Sequence, residues 1–194
     1  GPLAFVTQSG AIGTVVNTLA NRRGLGLGYL VHTGNESDIT VVDAMRAVGA
    51  DDRIRVIGAY LEGVRDGAAL CALAEELMAR PTPVVAVKVG RSADGARAVG
   101  SHTGWLAAED GVFDDLARQY GIVRARNETH MLDIAEGLAS CPLPGPGGLG
   151  LITQSGGTAV MMADRAEELG LGVPTLEPPT QDALRAVLPS YASF

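Results

Sequence analysis

Three kinds of residue in this chain have the type and spacing to do chemistry. His102 stands in Ser101-His102-Thr103-Gly104, and a neutral imidazole is a competent nucleophile near neutral pH. Glu62 closes the apolar run RVIGAYL at the head of YLEG, where a carboxylate can accept the Nδ1 proton of a histidine, fix its tautomer and stabilise positive charge on the ring. The tetrapeptide Thr7-Gln8-Ser9-Gly10 recurs far downstream as Thr153-Gln154-Ser155-Gly156, each copy following an apolar run and preceding a helical pattern. A helix that opens on Ser-Gly presents unpaired N–H groups and the positive end of its dipole. Ser9, Gly10 and Ala11, with Ser155, Gly156 and Gly157, therefore read as phosphate-binding corners. Two such corners imply either two phosphates or one phosphate held from both sides. Their serine hydroxyls can cap the helix or donate to the anion. Each residue also has a plainer role: His102 as a cap or packing group, Glu62 as a solvated strand end or a helix cap, and either corner as an ordinary strand-to-helix turn.

Rival site chemistries lack their signatures. The three histidines give no support to a metal cluster. There is no GxGxxG dinucleotide fingerprint between a strand and a helix, and no GxxxxGK[ST] or GxSxG pattern occurs. His32 ends an apolar run beside Thr33-Gly34-Asn35 and is expected to line the same edge; His130, in the first turn of a helix, is expected to face solvent. A net charge of −7 argues against a nucleic-acid or anionic-membrane surface, so a bound phosphate must be held mainly by backbone amides and helix ends.

The elements that must position these residues are legible as alternating short apolar runs and helical patterns. The strands are expected at 3–7, 29–32, 55–61, 84–89 and 122–124, and the helices at 10–22, 40–48, 67–80, 104–120 and 128–140. Leu70, Leu73, Leu77 and Met78 form one apolar stripe, and Asp66 is placed to cap that helix. Residues 84–89 are almost wholly apolar, as in a strand covered on both faces. Five βα repeats predict a doubly wound parallel sheet of flavodoxin-like type. The stretch RSADGARAVGS, rich in small residues, reads as a mobile loop that carries His102.

Residues 1–141 thus form the flavodoxin-like domain, and PLPGPGG at 142–148 is a linker. Residues 149–194 restart the pattern with a strand at 149–153, a helix at 157–169, an extended piece at 173–176 and a helix at 181–188. That is the start of a second flavodoxin-like unit, too short for a complete sheet. The 194 residues are 46% hydrophobic, 19% charged and only 4% aromatic, a globular composition. The chain begins without Met, so an excised fragment is expected, with Gly1-Pro2 either native or a cleavage scar. Cys71 and Cys141 are far apart and without a CxxC partner, which fits a reduced cytoplasmic setting.

GPLAFVTQSGA, YLEGVRDG, KVGRSADGARAVGSHTG and GLGLITQSGG, in that order, resemble the NDP-forming acyl-CoA synthetases. That family includes ADP-forming acetyl-CoA synthetase and is related to succinyl-CoA synthetase. The resemblance covers essentially the whole chain. It implies that acyl-CoA, NDP and phosphate give acid, CoA and NTP through an acyl phosphate. By motif, His102 would carry the phosphoryl group and Glu62 would stabilise it. Ser101, Thr103 and Gly104 would support the loop, and the two Ser-Gly corners would grip one phosphate between opposed helix starts. It also implies CoA and ATP/ADP with Mg2+ as cofactors, bound mostly outside this chain, and phosphate bound here. The implied partners are a CoA-binding Rossmann domain, an ATP-grasp domain or subunit and a small acyl substrate, in an oligomer with neither nucleic acid nor membrane. The sequence departs from the family pattern at Trp105, where a small residue is usual, at His32, and in stopping before an Asn-Pro segment. Two other readings remain: a CoA-responsive regulatory domain of a protein lysine acetyltransferase, and a flavodoxin-like binding module for a flavin phosphate. The retained histidine weighs against the first, and the scarcity of aromatic residues against the second.

Overall fold

A computed structural model describes residues 1–103, 110–142, 145 and 147–193, the side chains of His102 and Thr103 excepted. It divides into two compact units, Gly1–Leu143 and Pro144–Phe194.

The first unit is a five-stranded sheet. Its strands are β1 (Leu3–Thr7), β2 (Leu27–His32), β3 (Val56–Leu61), β4 (Val84–Lys88) and β5 (Val123–Arg124), all parallel, in the order β2-β1-β3-β4-β5. This is the flavodoxin-like order expected from the βα repeats. β1 and β4 are buried along their whole length, because helices cover both faces of the sheet. On one face Leu3, Phe5, Val85 and Val87 pack with Val16 and Ala20 of α1 (Gly10–Arg22) and with Met131, Leu132 and Ala135 of α6 (Glu128–Ser140). On the other, Ala4, Val6, Ile57, Ala59 and Ala86 pack with α2 (Val41–Gly49), α3 (Gly67–Ala79) and α5 (Asp110–Gln119).

Local chemistry sets the helix starts. Asp66 accepts from the Ala69 amide at 2.9 Å, and Thr40 and Asp43 form a reciprocal capping box on α2. The stripe of α3 is buried at Leu70, Leu73 and Leu77, but Met78 is 60% exposed. Position 78 falls at the rim of the stripe, and Ala74 fills the interior place between its leucines.

Within this unit one element differs outright from the sequence expectation. The stretch taken as a mobile loop is a helix, α4 (Ala93–Thr103). The Ser92 hydroxyl accepts from the Gly95 amide at 3.1 Å, Asp94 lies in the first turn, and Ala93, Ala96 and Ala98 are strong helix formers. Its glycines, which favour a loop reading, are outweighed by that cap and those alanines. The helix expected at 104–120 is observed as α5 from Asp110; positions 104–109, including Gly104 and Trp105, lie outside the described residues.

The second unit holds α7 (Gly156–Glu168) and α8 (Pro178–Arg185). Residues 149–153 are not a strand: the Leu149 amide donates to the Gly172 carbonyl at 2.7 Å, but no ladder forms. A strand is defined by its neighbour, and no strand occurs among the described residues of this unit. The last helix starts at Pro178 rather than 181, since proline is well placed in a first helical turn. No helix among the described residues is long and apolar enough to cross a membrane.

Candidate functional site

In a doubly wound sheet the crevice lies at the carboxyl ends of the strands where the order reverses, here between β1 and β3. Thr7 is in register with Tyr60 and with His32, so Ser9, Glu62 and His32 all leave neighbouring strands at this edge.

The first corner is tightly built. The Ser9 amide donates to the Thr7 hydroxyl at 2.9 Å, and that hydroxyl donates to the Ser9 carbonyl at 3.0 Å. Ser9, with φ −107° and ψ 119°, is the N-cap of α1, its hydroxyl accepting from the Ile12 amide at 3.5 Å. The amides of Gly10 and Ala11 occupy the first-turn positions that have no intrahelical acceptor. The second corner repeats this construction within its own unit. Ser155 has φ −122° and ψ 120°, its amide donates to the Thr153 hydroxyl at 3.1 Å, and its own hydroxyl accepts from the Thr158 amide at 3.3 Å. Gly156 and Gly157 hold the corresponding first-turn places of α7. Both serine hydroxyls therefore cap their helices, which leaves the backbone amides as the anion donors.

Gln8 is the residue whose role sequence reasoning missed. It is buried, and its side-chain amide makes four hydrogen bonds. Nε2 donates to Glu36 Oε1 at 2.7 Å and to the Gly63 carbonyl at 2.8 Å. Oε1 accepts from the amides of Glu62 at 2.5 Å and Gly63 at 3.2 Å. Gln8 thus ties the end of β1 to the segment that carries Glu62. Glu36 in turn is buried at φ 54°, a left-handed backbone uncommon outside glycine, and its Oε1 also accepts from the Val41 amide at 2.8 Å. The glutamine repeated in both TQSG copies was the available signal for Gln8; nothing in the residue types alone singles out Glu36.

Glu62, one residue past β3, is 8% exposed, and its Oε2 has no hydrogen-bond partner among the described residues. It is neither solvated nor the cap of α3, a place that Asp66 holds. An unpaired buried carboxylate oxygen is costly and is an acceptor awaiting a donor. Its charge reaches Tyr60, whose phenol is raised above its ordinary value first by burial and then by Glu62 and Glu128.

His32 is exposed and lies against the start of α1; a Cβ on Gly13 would fall 2.1 Å from its Cε1, so glycine is what admits the ring there. His130 is half-buried rather than solvent-facing, because its Nδ1 accepts from the Arg126 amide at 3.2 Å. Ser101 is exposed on α4, its hydroxyl donating to the Ala98 carbonyl at 2.9 Å. His102 and Thr103 end α4 in the backbone trace, and their side chains lie outside the description, as does Gly104. The structure thus brings together Ser9, Gly10, Ala11, Glu62 and His32, while the second corner belongs to a separate unit.

A charged cluster borders this edge. Arg124 of β5 donates to Asp110 at 2.9 Å and to Asp114 at 2.5 Å, and its guanidinium lies 5.1 Å from the Phe113 ring centroid. Among the described residues no group of three or more His, Cys, Asp or Glu is placed to hold a metal ion.

This chain is similar to several longer proteins. It is 38% identical over 171 residues to the alpha subunit of acetate–CoA ligase [ADP-forming] I of Pyrococcus furiosus, covering 88% of this chain and 37% of that one. It is 32% identical over 193 residues to the alpha subunit of acetate–CoA ligase [ADP-forming] II of the same organism, covering 100% of this chain and 42% of the relative. The chain therefore spans well under half the length of these relatives. Among solved structures it superposes, with a TM-score of 0.92 and 29% identity, on the dinucleotide forming acetyl-coenzyme A synthetase 1 of Ca. Korarchaeum cryptofilum in complex with phosphate and ADP, covering 100% of this chain and 42% of that one. Residues 1–138 match the succinyl-CoA ligase like flavodoxin domain, and with its strand order and relatives agreeing, the chain belongs to that family.

Proposed function

We propose that this chain is the phosphohistidine-carrying domain of an NDP-forming acyl-CoA synthetase, catalysing acyl-CoA + NDP + phosphate to acid + CoA + NTP together with parts supplied elsewhere. The observation that carries the reading is the β1/β3 crevice, where the start of α1 leaves β1 next to the end of β3, which carries a buried carboxylate oxygen with no hydrogen-bond partner among the described residues. One group binds an anion and the other accepts a ring N–H, the two needs of a phosphorylated imidazole.

The chemistry follows in three displacements. A phosphate oxygen first attacks the thioester carbonyl of acyl-CoA; the C–O bond forms, the C–S bond breaks, and CoA leaves as the acyl phosphate forms. The imidazole of His102 attacks the phosphorus of an acyl phosphate; the N–P bond forms, the P–O bond to the acyl group breaks, and the carboxylate leaves. A terminal oxygen of NDP then attacks the same phosphorus, the N–P bond breaks, and NTP is released. Glu62 accepts the proton on the other ring nitrogen and offsets the positive charge that develops there. The amides of Gly10 and Ala11 hold phosphoryl oxygens, with Ser9 fixing that helix start; Gly156 and Gly157, behind Ser155, offer amide donors of the same kind within their own unit. Ser101, Thr103 and Gly104 support the segment that presents His102. CoA, the nucleotide and its Mg2+ are held by a CoA-binding domain and an ATP-grasp domain or subunit.

The test uses the complete enzyme and NTP labelled at its terminal phosphate. The wild type takes up an acid-labile, base-stable label that disappears in His102→Ala, and Glu62→Gln slows its formation. Label at wild-type level in His102→Ala would end this reading.

A further inference from the structure

Of the fifteen basic residues in this chain, Lys88 is the sole lysine; the rest are arginines. The arginines carry the surface charge, and several form exposed ion pairs, such as Arg46 with Glu76 and Arg118 with Asp115. Lys88 does neither. It ends β4 in register with Leu61, so it stands beside Glu62 at the carboxyl edge, and it is only 6% exposed. Ala86 and Val84, two and four residues before it, belong to the apolar cluster that includes Phe113 and Ala117 of α5, and its ammonium donates to the Val89 carbonyl at 2.5 Å.

No carboxylate among the described residues lies within ion-pair distance of that ammonium, although Asp110 and Glu62 exert favourable fields on it. Asp110 is committed to Arg124 and Arg91. Burying an ammonium costs several kcal/mol unless a counter-charge is supplied. Here burial, with Arg124 adding repulsion, holds the Lys88 amine below its ordinary value against the pull of Asp110 and Glu62. Lysine is also the cation suited to such a place, a compact point charge with three donors, whereas arginine brings a broad planar fork.

We propose that Lys88 is an anion-binding residue of the carboxyl edge, its ammonium taking an oxygen of the phosphoryl group handled there. This rests on the reading that the edge handles phosphate. Glu62 and Lys88 then form a split pair of opposite charges, close enough to feel each other and, among the described residues, not bonded to one another. A group that is cationic at one end and anionic at the other satisfies both.

The test measures the complete enzyme with inorganic phosphate as the probe. Lys88→Met keeps the unbranched length and removes the charge. Its KM for phosphate in the direction consuming acyl-CoA rises about tenfold or more, the loss expected of one charge-assisted hydrogen bond. The KM for CoA in the reverse direction stays within about twofold, and thermal stability is not reduced, since a buried charge has gone. Should Lys88→Met fail to fold, Lys88→Gln, which keeps a donor for the Val89 carbonyl without the charge, reads the same constants. An unchanged phosphate KM, or equal losses for phosphate and CoA, overturns the assignment. Failure of the wild type to take up label instead refutes the phosphohistidine reading, so the two ideas fail separately.

Discussion

Gln8 accepts from two backbone amides and donates to a carbonyl and a carboxylate, all from within the protein interior. Replacing it with leucine keeps the bulk but strands the amides of Glu62 and Gly63 and one partner of Glu36. Unsatisfied buried groups cost about 1–3 kcal/mol each, and some are re-solvated as the edge relaxes, so a loss of about 2–4 kcal/mol is expected for Gln8→Leu in urea denaturation. Gln8→Glu is the more discriminating change. It places a second carboxylate where Nε2 now donates to Glu36 at 2.7 Å. Two carboxylates this close raise the pKa of one, so the folded state binds a proton more tightly than the unfolded chain does. Stability is then greatest below the ordinary glutamate value of about 4.3 and is lost as pH rises through the raised value. A Gln8→Glu variant no less stable at neutral than at mildly acidic pH would show that the two side chains do not face each other. The repeated motif was visible in the sequence; that its glutamine, rather than its serine, binds the site together was not, because a four-way hydrogen-bond hub depends on three segments distant in the chain.

Elements were legible where one local signal was enough. β1, α1 and α6 fall at the expected residues, since apolar runs and helical periods agree there, with the Ser9 cap at the start of α1. α4 was not legible, because its glycines argue for a loop and its Ser92 cap for a helix, and only the folded backbone decides. The crevice itself was legible only as a consequence of topology, once strand order put β1 beside β3. Element-scale energetics centre on α5, which is moored to the edge strand by Arg124. Asp110 and Arg124 are both mostly buried, and Asp110 is held below its ordinary value, foremost by its hydrogen bond from Arg124. A depressed carboxylate contributes stability above its unfolded pKa and loses it as pH falls through the folded one. Asp110→Asn should therefore cost about 1–3 kcal/mol at neutral pH. The gap to wild type should close on acidification below the ordinary aspartate value of about 3.9. Parallel denaturation curves for the two proteins across that range, with a constant gap, would contradict the pairing.

At the scale of the whole molecule the two units differ in kind. The first has a sheet covered on both faces and two apolar clusters. The second has two helices, no strand among its described residues, and Ala166 as its sole buried apolar residue there, while Ile152 is 96% exposed and Val187 77%. A helix of this length is marginal in water without a packed face, and about fifty residues without a core cannot offset the entropy of ordering them. A polypeptide of residues 1–142 is therefore expected to unfold in one cooperative transition, followed by circular dichroism. A peptide of residues 144–194 is expected to lose its modest helicity gradually with temperature. The second Ser-Gly corner would then keep its hydrogen-bonded form only when neighbouring structure supports α7, whereas the first is held by Gln8 and the sheet. A sharp, cooperative melt for 144–194 alone would mean that this segment carries a core of its own, and the contrast between a self-supporting corner and a dependent one would have to be abandoned.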